Sequence, residues 1–195
     1  MNMARVRHIT FDALMLALLC VIGMFSIPLG DNIKVSLQLF VVFIICLISP
    51  KFYDCLIVTT MYFLLGLFLP VYAGFTSGIS PTTGFVIAFI VASPAIYFLN
   101  CIPKIPSVVR MLIACLVGLL IVYLIGSIFL SVYLSLDYGK ALMVAVVPYL
   151  PFDAIKIALA IVIVMMLPKS MLRELKGKKE KSEEKNTGTE EEKEV

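Results

Sequence analysis

Tryptophan is absent from this 195-residue chain, histidine occurs once, and only 15% of the residues are charged. Soluble domains carry about 25% charged residues, so too few polar groups are present to cover a water-facing surface. The 61% hydrophobic content excludes intrinsic disorder equally firmly. The lone histidine, His8, rules out paired-histidine metal sites and H-E-x-x-H proteases. It stands before the first apolar run and reads as a solvated flank residue. G-x-S-x-G, G-x-G-x-x-G and G-x-x-x-x-G-K-[ST] are all missing, which removes a hydrolase elbow, a dinucleotide fingerprint and a P-loop for ATP. The five cysteines are odd in number, contain no C-x-x-C pair and fall mostly within apolar runs. They read as small apolar residues, neither a disulfide framework nor a zinc site. No cofactor is called for.

What is present is long apolar runs. A bilayer core is about 30 Å thick and needs about 20 mostly apolar helical residues to cross it. Six stretches qualify: Ile9–Leu29, Ile33–Ser49, Phe52–Ala73, Gly84–Ile102, Ser107–Ser135 and about Leu142–Leu167. The first follows Arg5 and Arg7 but is too long for a signal peptide and lacks a small-x-small cleavage site, so it reads as a retained span. The second is short. The last carries Pro148 and Pro151, which should break its opening and start the regular helix near Pro151. The fold class is thus an all-α integral membrane protein, a bundle of six transmembrane helices.

Charge placement orients the bundle. Residues 1–168 hold eight Lys/Arg and five Asp/Glu, whereas 169–195 hold eight of each. The net +3 therefore belongs to the apolar part and forms no stripe for nucleic acid. With six spans, Arg5, Arg7, Lys51, Lys104, Arg110, Lys169, Arg173 and Lys176 share one side, against Lys34 and Lys140 on the other. That bias predicts both termini in the cytoplasm. The organisation is a membrane domain over 1–168 and a charged tail over 169–195, expected to be disordered because from Lys176 on it has no large apolar residue until its end.

Polar residues at depth carry the information in such a protein, because an ionised group at the centre of a span costs about 2.5–3.5 kcal/mol. Asp153 and Lys156 lie three apart in the last span and share a helix face. They form either a structural ion pair or a polar site for a ligand with matching donors and acceptors. The connection from Leu69 to Phe85 is nearly uncharged and mixes Gly, Ser and Thr with aromatics. It suits a lid folded over the bundle or a cavity lined by backbone. Gln38, at the outer end of the second span, both donates and accepts, which suits an amide-like or ureido-like group. Ala13 and Ala17 make a flat strip for close helix packing.

Four segments appear in an order that resembles the BioY family, the biotin-binding S components of energy-coupling factor (ECF) transporters. Lys34-Val-Ser-Leu-Gln38 resembles P-V-T-L-Q, and Tyr62-Phe-Leu-Leu-Gly-Leu-Phe-Leu-Pro-Val-Tyr-Ala73 resembles Y-L-x-G-x-x-G-L-P-V-F-A. Ser80-Pro-Thr-Thr-Gly-Phe85 resembles G-P-T-G-G-Y, and Val147-Pro-Tyr-Leu-Pro-Phe-Asp-Ala-Ile-Lys156 resembles the P-F-x-x-x-D-x-x-K ending. The likeness covers about residues 10–168. It implies a plasma-membrane vitamin-binding protein, not an enzyme, that binds biotin or a similar vitamin. Its implied partners are an ECF coupling transmembrane subunit and two ABC-type ATPases. It also implies that Asp153, Lys156, Gln38, Tyr72, Pro81, Thr82, Thr83, Gly84 and Phe85 meet the substrate, and that Ala13 and Ala17 meet the coupling subunit. The connection is shorter than the family's, with Thr83 in place of a Gly and Phe85 in place of a Tyr, changes that fall on the expected lid. A membrane-embedded enzyme using Asp153 as general base is the rival reading, but the chain offers no second catalytic group.

Overall fold

A computed structural model of the chain describes residues 3–28, 34–103 and 105–168. The expected disordered tail over 169–195, and with it Lys169, Arg173 and Lys176, lies outside the described residues, as does Lys104.

Seven helices and one short pair of strands make up the described residues. Helix α1 runs Met3–Met24, followed by strands β1 (Ser26–Pro28) and β2 (Lys34–Ser36), then α2 (Gln38–Ile48) and α3 (Phe52–Phe68). After a long connection come α4 (Thr83–Asn100), α5 (Ser107–Leu134), α6 (Tyr138–Ala145) and α7 (Leu150–Met166). The first three expected spans need correction. Helix α3 stops at Phe68, not Ala73. Helix α1 stops at Met24, not Leu29, and α2 begins at Gln38, not Ile33. Between them β1 and β2 pair antiparallel, with Ser26 opposite Ser36. Residues Lys34-Val-Ser alternate polar and apolar, a two-residue period that favours a strand, so the fold is mostly but not wholly helical. The last expected span also divides, into short α6 and regular α7. Pro151 sits in the first turn of α7, where its missing N–H leaves no bond unmade.

Local sequence sets the other ends. Asp137 caps α6 by accepting the Gly139 amide at 3.1 Å. Asp54 in the first turn of α3 accepts the Lys51 amide at 3.0 Å. Helix α5 stops where Ser135 turns left-handed, at φ 51°.

Helix α2 is the hub. It packs against α1, α3, α4 and α7, and Val41, Val42, Phe43, Ile45, Cys46 and Leu47 are all buried. A helix that is apolar all round belongs inside a bundle. At 11 residues it is only about 16 Å long. The outer helices invert this pattern. Leu116, Leu120, Leu124 and Ile128 form an exposed apolar stripe along α5, and Ile155, Leu159, Val162 and Met166 form one along α7. Such faces would drive aggregation in water and are ordinary against lipid tails. Among the described residues, three helices are long and apolar enough by themselves to cross a membrane: Val6–Met24 within α1, α4, and α5.

The α4–α5 seam is closed by reciprocal notches. A methyl added at Gly84 would overlap the Phe129 ring, and one added at Gly126 would overlap the Phe85 ring. Each glycine thus admits an aromatic from the facing helix, and the seam positions Phe85.

Candidate functional site

The seam, the hub and the strands meet around one cavity of about 380 Å³, within the range of about 300–1,000 Å³ usual for small-ligand sites. Ser36 closes β2 and Gln38 opens α2 on one wall. Ala73, Pro81 and Thr82 come from the α3–α4 connection, and Phe85 and Phe89 from α4. Helix α5 contributes Val122, Tyr123 and Leu130, and the start of α7 brings Tyr149, Asp153 and Lys156. Most of the wall is apolar, with polar atoms gathered where α2, α5 and α7 converge.

The polar end is built around Asp153. Helical spacing stacks Lys156 one turn above it, and Lys156 Nζ donates to Asp153 Oδ1 at 2.6 Å. The Tyr123 hydroxyl donates to the other carboxylate oxygen, Oδ2, at 2.5 Å. The pair is nearly enclosed, with Asp153 3% and Lys156 7% exposed. Position helps too, since Asp153 lies in the first turn of α7, where the helix dipole favours a carboxylate. Each oxygen of Asp153 therefore has a donor, while the lysine ammonium has three N–H groups and one is engaged. The pair has no net charge of its own and can offer donors from Lys156 and acceptors from Asp153 to a neutral polar group of a guest.

Gln38 lines the same cavity. Its backbone amide donates to Ser36 Oγ at 3.0 Å, tying the strand to the start of α2. Its side-chain Nε2 donates to the Tyr62 hydroxyl at 2.5 Å, and that hydroxyl donates to the Val71 carbonyl at 2.9 Å. The connection carrying Val71 is folded onto the bundle. The Gly74 amide donates to the Met24 carbonyl and the Gly78 amide to the Gly66 carbonyl, each at 2.9 Å. Gly74 and Gly78 hold φ near +75° and +77°, a conformation that favours glycine.

Of the site residues expected from sequence, Asp153, Lys156, Gln38, Pro81, Thr82 and Phe85 come together on this cavity. Tyr72, Thr83 and Gly84 do not line it. Tyr72 is buried and donates its hydroxyl to the Phe63 carbonyl at 2.7 Å, pinning the connection to α3. The Thr83 hydroxyl accepts the Ser80 amide at 2.8 Å at the start of α4. Gly84 faces Phe129 across the seam. Ala13 and Ala17 are exposed on α1, a helix that contributes nothing to the cavity. Tyr123, Tyr149 and Phe89 line it without having been singled out from the sequence. For Tyr123 a signal existed: a tyrosine deep in an apolar run must find a partner for its hydroxyl.

A family model described as BioY family matches residues 1–173. The chain belongs to the BioY family. It is similar to the biotin transporter BioY of Thermotoga maritima, 36% identical over 78% of this chain and 90% of that one. The probable biotin transporter BioY of Pyrococcus horikoshii is 34% identical, over 82% and 94% respectively. Among solved structures, an S-component for biotin from an ECF-type ABC transporter matches with a TM-score of 0.75 and 28% identity, covering 87% of this chain and 94% of its own. BioY proteins are membrane transporter components and not enzymes, so the general-base reading of Asp153 falls away. In this BioY-family chain, the four sequence segments that suggested the likeness converge on the cavity or brace the connection that forms its roof.

Proposed function

We propose that the cavity captures biotin for uptake and that this chain is the substrate-binding component of an ECF-type transporter. The observation that carries the reading is an acid–amine pair, nearly closed off from solvent, on the wall of a small-ligand cavity. Biotin presents a ureido group with two N–H donors and one carbonyl acceptor, fused to an apolar ring whose aliphatic tail ends in a carboxylate. Lys156 supplies the donor for the carbonyl, while Asp153 and Gln38 accept the N–H groups. Phe85, Phe89, Leu39 and Val122 cover the apolar ring. Pro81 and Thr82 close over it from the connection.

The chain crosses the cell membrane six times, by α1, α2, α3, α4, α5 and α7, with both termini in the cytoplasm. The β1–β2 strip makes up the depth that short α2 lacks. Without a nucleotide motif of its own, the chain depends on a coupling subunit and two ATPases for work, and the exposed Ala13–Ala17 strip supplies the contact. Calorimetry of the purified protein with biotin tests the reading. Tight, submicromolar binding that other vitamins fail to displace is expected; micromolar or weaker binding rejects it.

A further inference from the structure

Tyr62 lines no wall of the cavity, yet it bonds a wall residue, Gln38, to the connection that supplies Ala73, Pro81 and Thr82. It is fully buried on α3, with its oxygen 2.9 Å from the Val71 carbonyl and 2.5 Å from the Gln38 amide nitrogen. A phenol carries one proton and can donate one hydrogen bond. No other donor reaches the part-buried Val71 carbonyl among the described residues, and leaving a carbonyl unpaired away from water costs up to about 1–3 kcal/mol. The proton therefore goes to Val71, and Tyr62 can only accept from Gln38. That fixes the carboxamide: its NH2 faces Tyr62 and its Oε1 faces away. Oε1 has no protein partner among the described residues, and Gln38 is a wall residue. Space for the arrangement comes from α1, where a methyl on Gly23 would lie 2.7 Å from the Tyr62 oxygen and 3.2 Å from Gln38 Cγ.

We propose that Tyr62 is a positioning residue that holds Gln38 as a hydrogen-bond acceptor, so that this wall selects a ligand presenting an N–H there and rejects one presenting a lone pair. The inference rests on the biotin reading above and deepens it. Two ring carbamates of biotin serve as probes, each replacing one ureido N–H with oxygen at nearly constant shape. A site that pairs a ligand N–H rejects the analogue lacking it strongly. By calorimetry, the parent protein prefers biotin over the carbamate altered on the Gln38 side by well over tenfold. In Tyr62→Phe the amide is free to turn its NH2 inward, so that preference shrinks at least tenfold, mainly through better binding of the carbamate relative to biotin. Gly23→Ala, which keeps the hydroxyl but displaces the pair, shrinks it in the same direction should Tyr62→Phe fail to fold. Tyr72→Phe loosens the same connection and weakens both ligands by one common factor. Equal loss of both ligands in Tyr62→Phe and in Gly23→Ala overturns the inference, as does a parent that binds biotin and both carbamates alike. A parent that binds none of the three overturns the biotin reading, and this inference with it.

Discussion

Lys156→Met removes an ammonium from the cavity wall while keeping most of the side chain's volume. Lys156 and Asp153 are almost fully enclosed, and removing one partner of a buried pair costs about 3–5 kcal/mol because the other charge is stranded. Tyr123 still donates to Asp153 Oδ2 and offsets part of that, which places the expected loss near the low end, about 3 kcal/mol. The ligand also loses a charge-assisted hydrogen bond, about 1.5–3 kcal/mol, or roughly 10- to 150-fold in affinity. Stability and binding fall together in this variant, so it does not separate them. Adding Asp153→Leu does. Replacing a whole buried pair with apolar side chains is neutral or stabilising by about 1–4 kcal/mol, and the Tyr123 hydroxyl left without an acceptor costs about 1–3 kcal/mol. The double variant should therefore lie within about 3 kcal/mol of the parent in either direction, no less stable than Lys156→Met alone, and still fail to bind biotin. Because the chain lacks tryptophan, melting followed by far-ultraviolet circular dichroism in detergent reads stability, and calorimetry reads binding. A double variant that binds biotin like the parent would refute the ligand role of the pair. A Lys156→Met protein as stable as the parent would refute the claim that burial makes the two charges depend on each other.

Two further outcomes are expected. Gly84→Val overpacks the α4–α5 seam, where even one added methyl overlaps Phe129; melting should show a loss of about 1–3 kcal/mol, and an unchanged midpoint would mean that the seam yields freely. Ala13→Leu with Ala17→Leu changes only exposed positions of α1, so biotin affinity in the isolated chain should stay within about twofold, while co-purification with the coupling subunit is lost. Retained co-purification would move the partner contact off this strip.

The sequence made the ion pair legible because an ionised residue in an apolar span has few ways to persist, and the spacing of Asp153 and Lys156 left one face for both. It made three of the helices, α4, α5 and α7, legible nearly to the residue, since long apolar runs in a membrane have no competing structure. It misplaced the entry to α2 because a short apolar run reads alike as strand or helix, and only pairing with Ser26–Pro28 decides for the strand. Tyr123 meets a partner 30 positions away, a distance that no local pattern encodes. The segment at Ser80–Phe85 indicated the right place but not which side chains turn inward. Thr82 and Phe85 line the cavity, while Thr83 and Gly84 between them serve the start of α4 and its seam.

Both oxygens of the acid already have donors within the fold, one from the amine and one from the tyrosine. Under the proposed uptake of biotin, a departing guest therefore leaves that carboxylate still paired, and release needs a path to open rather than a bare charge to be resolvated.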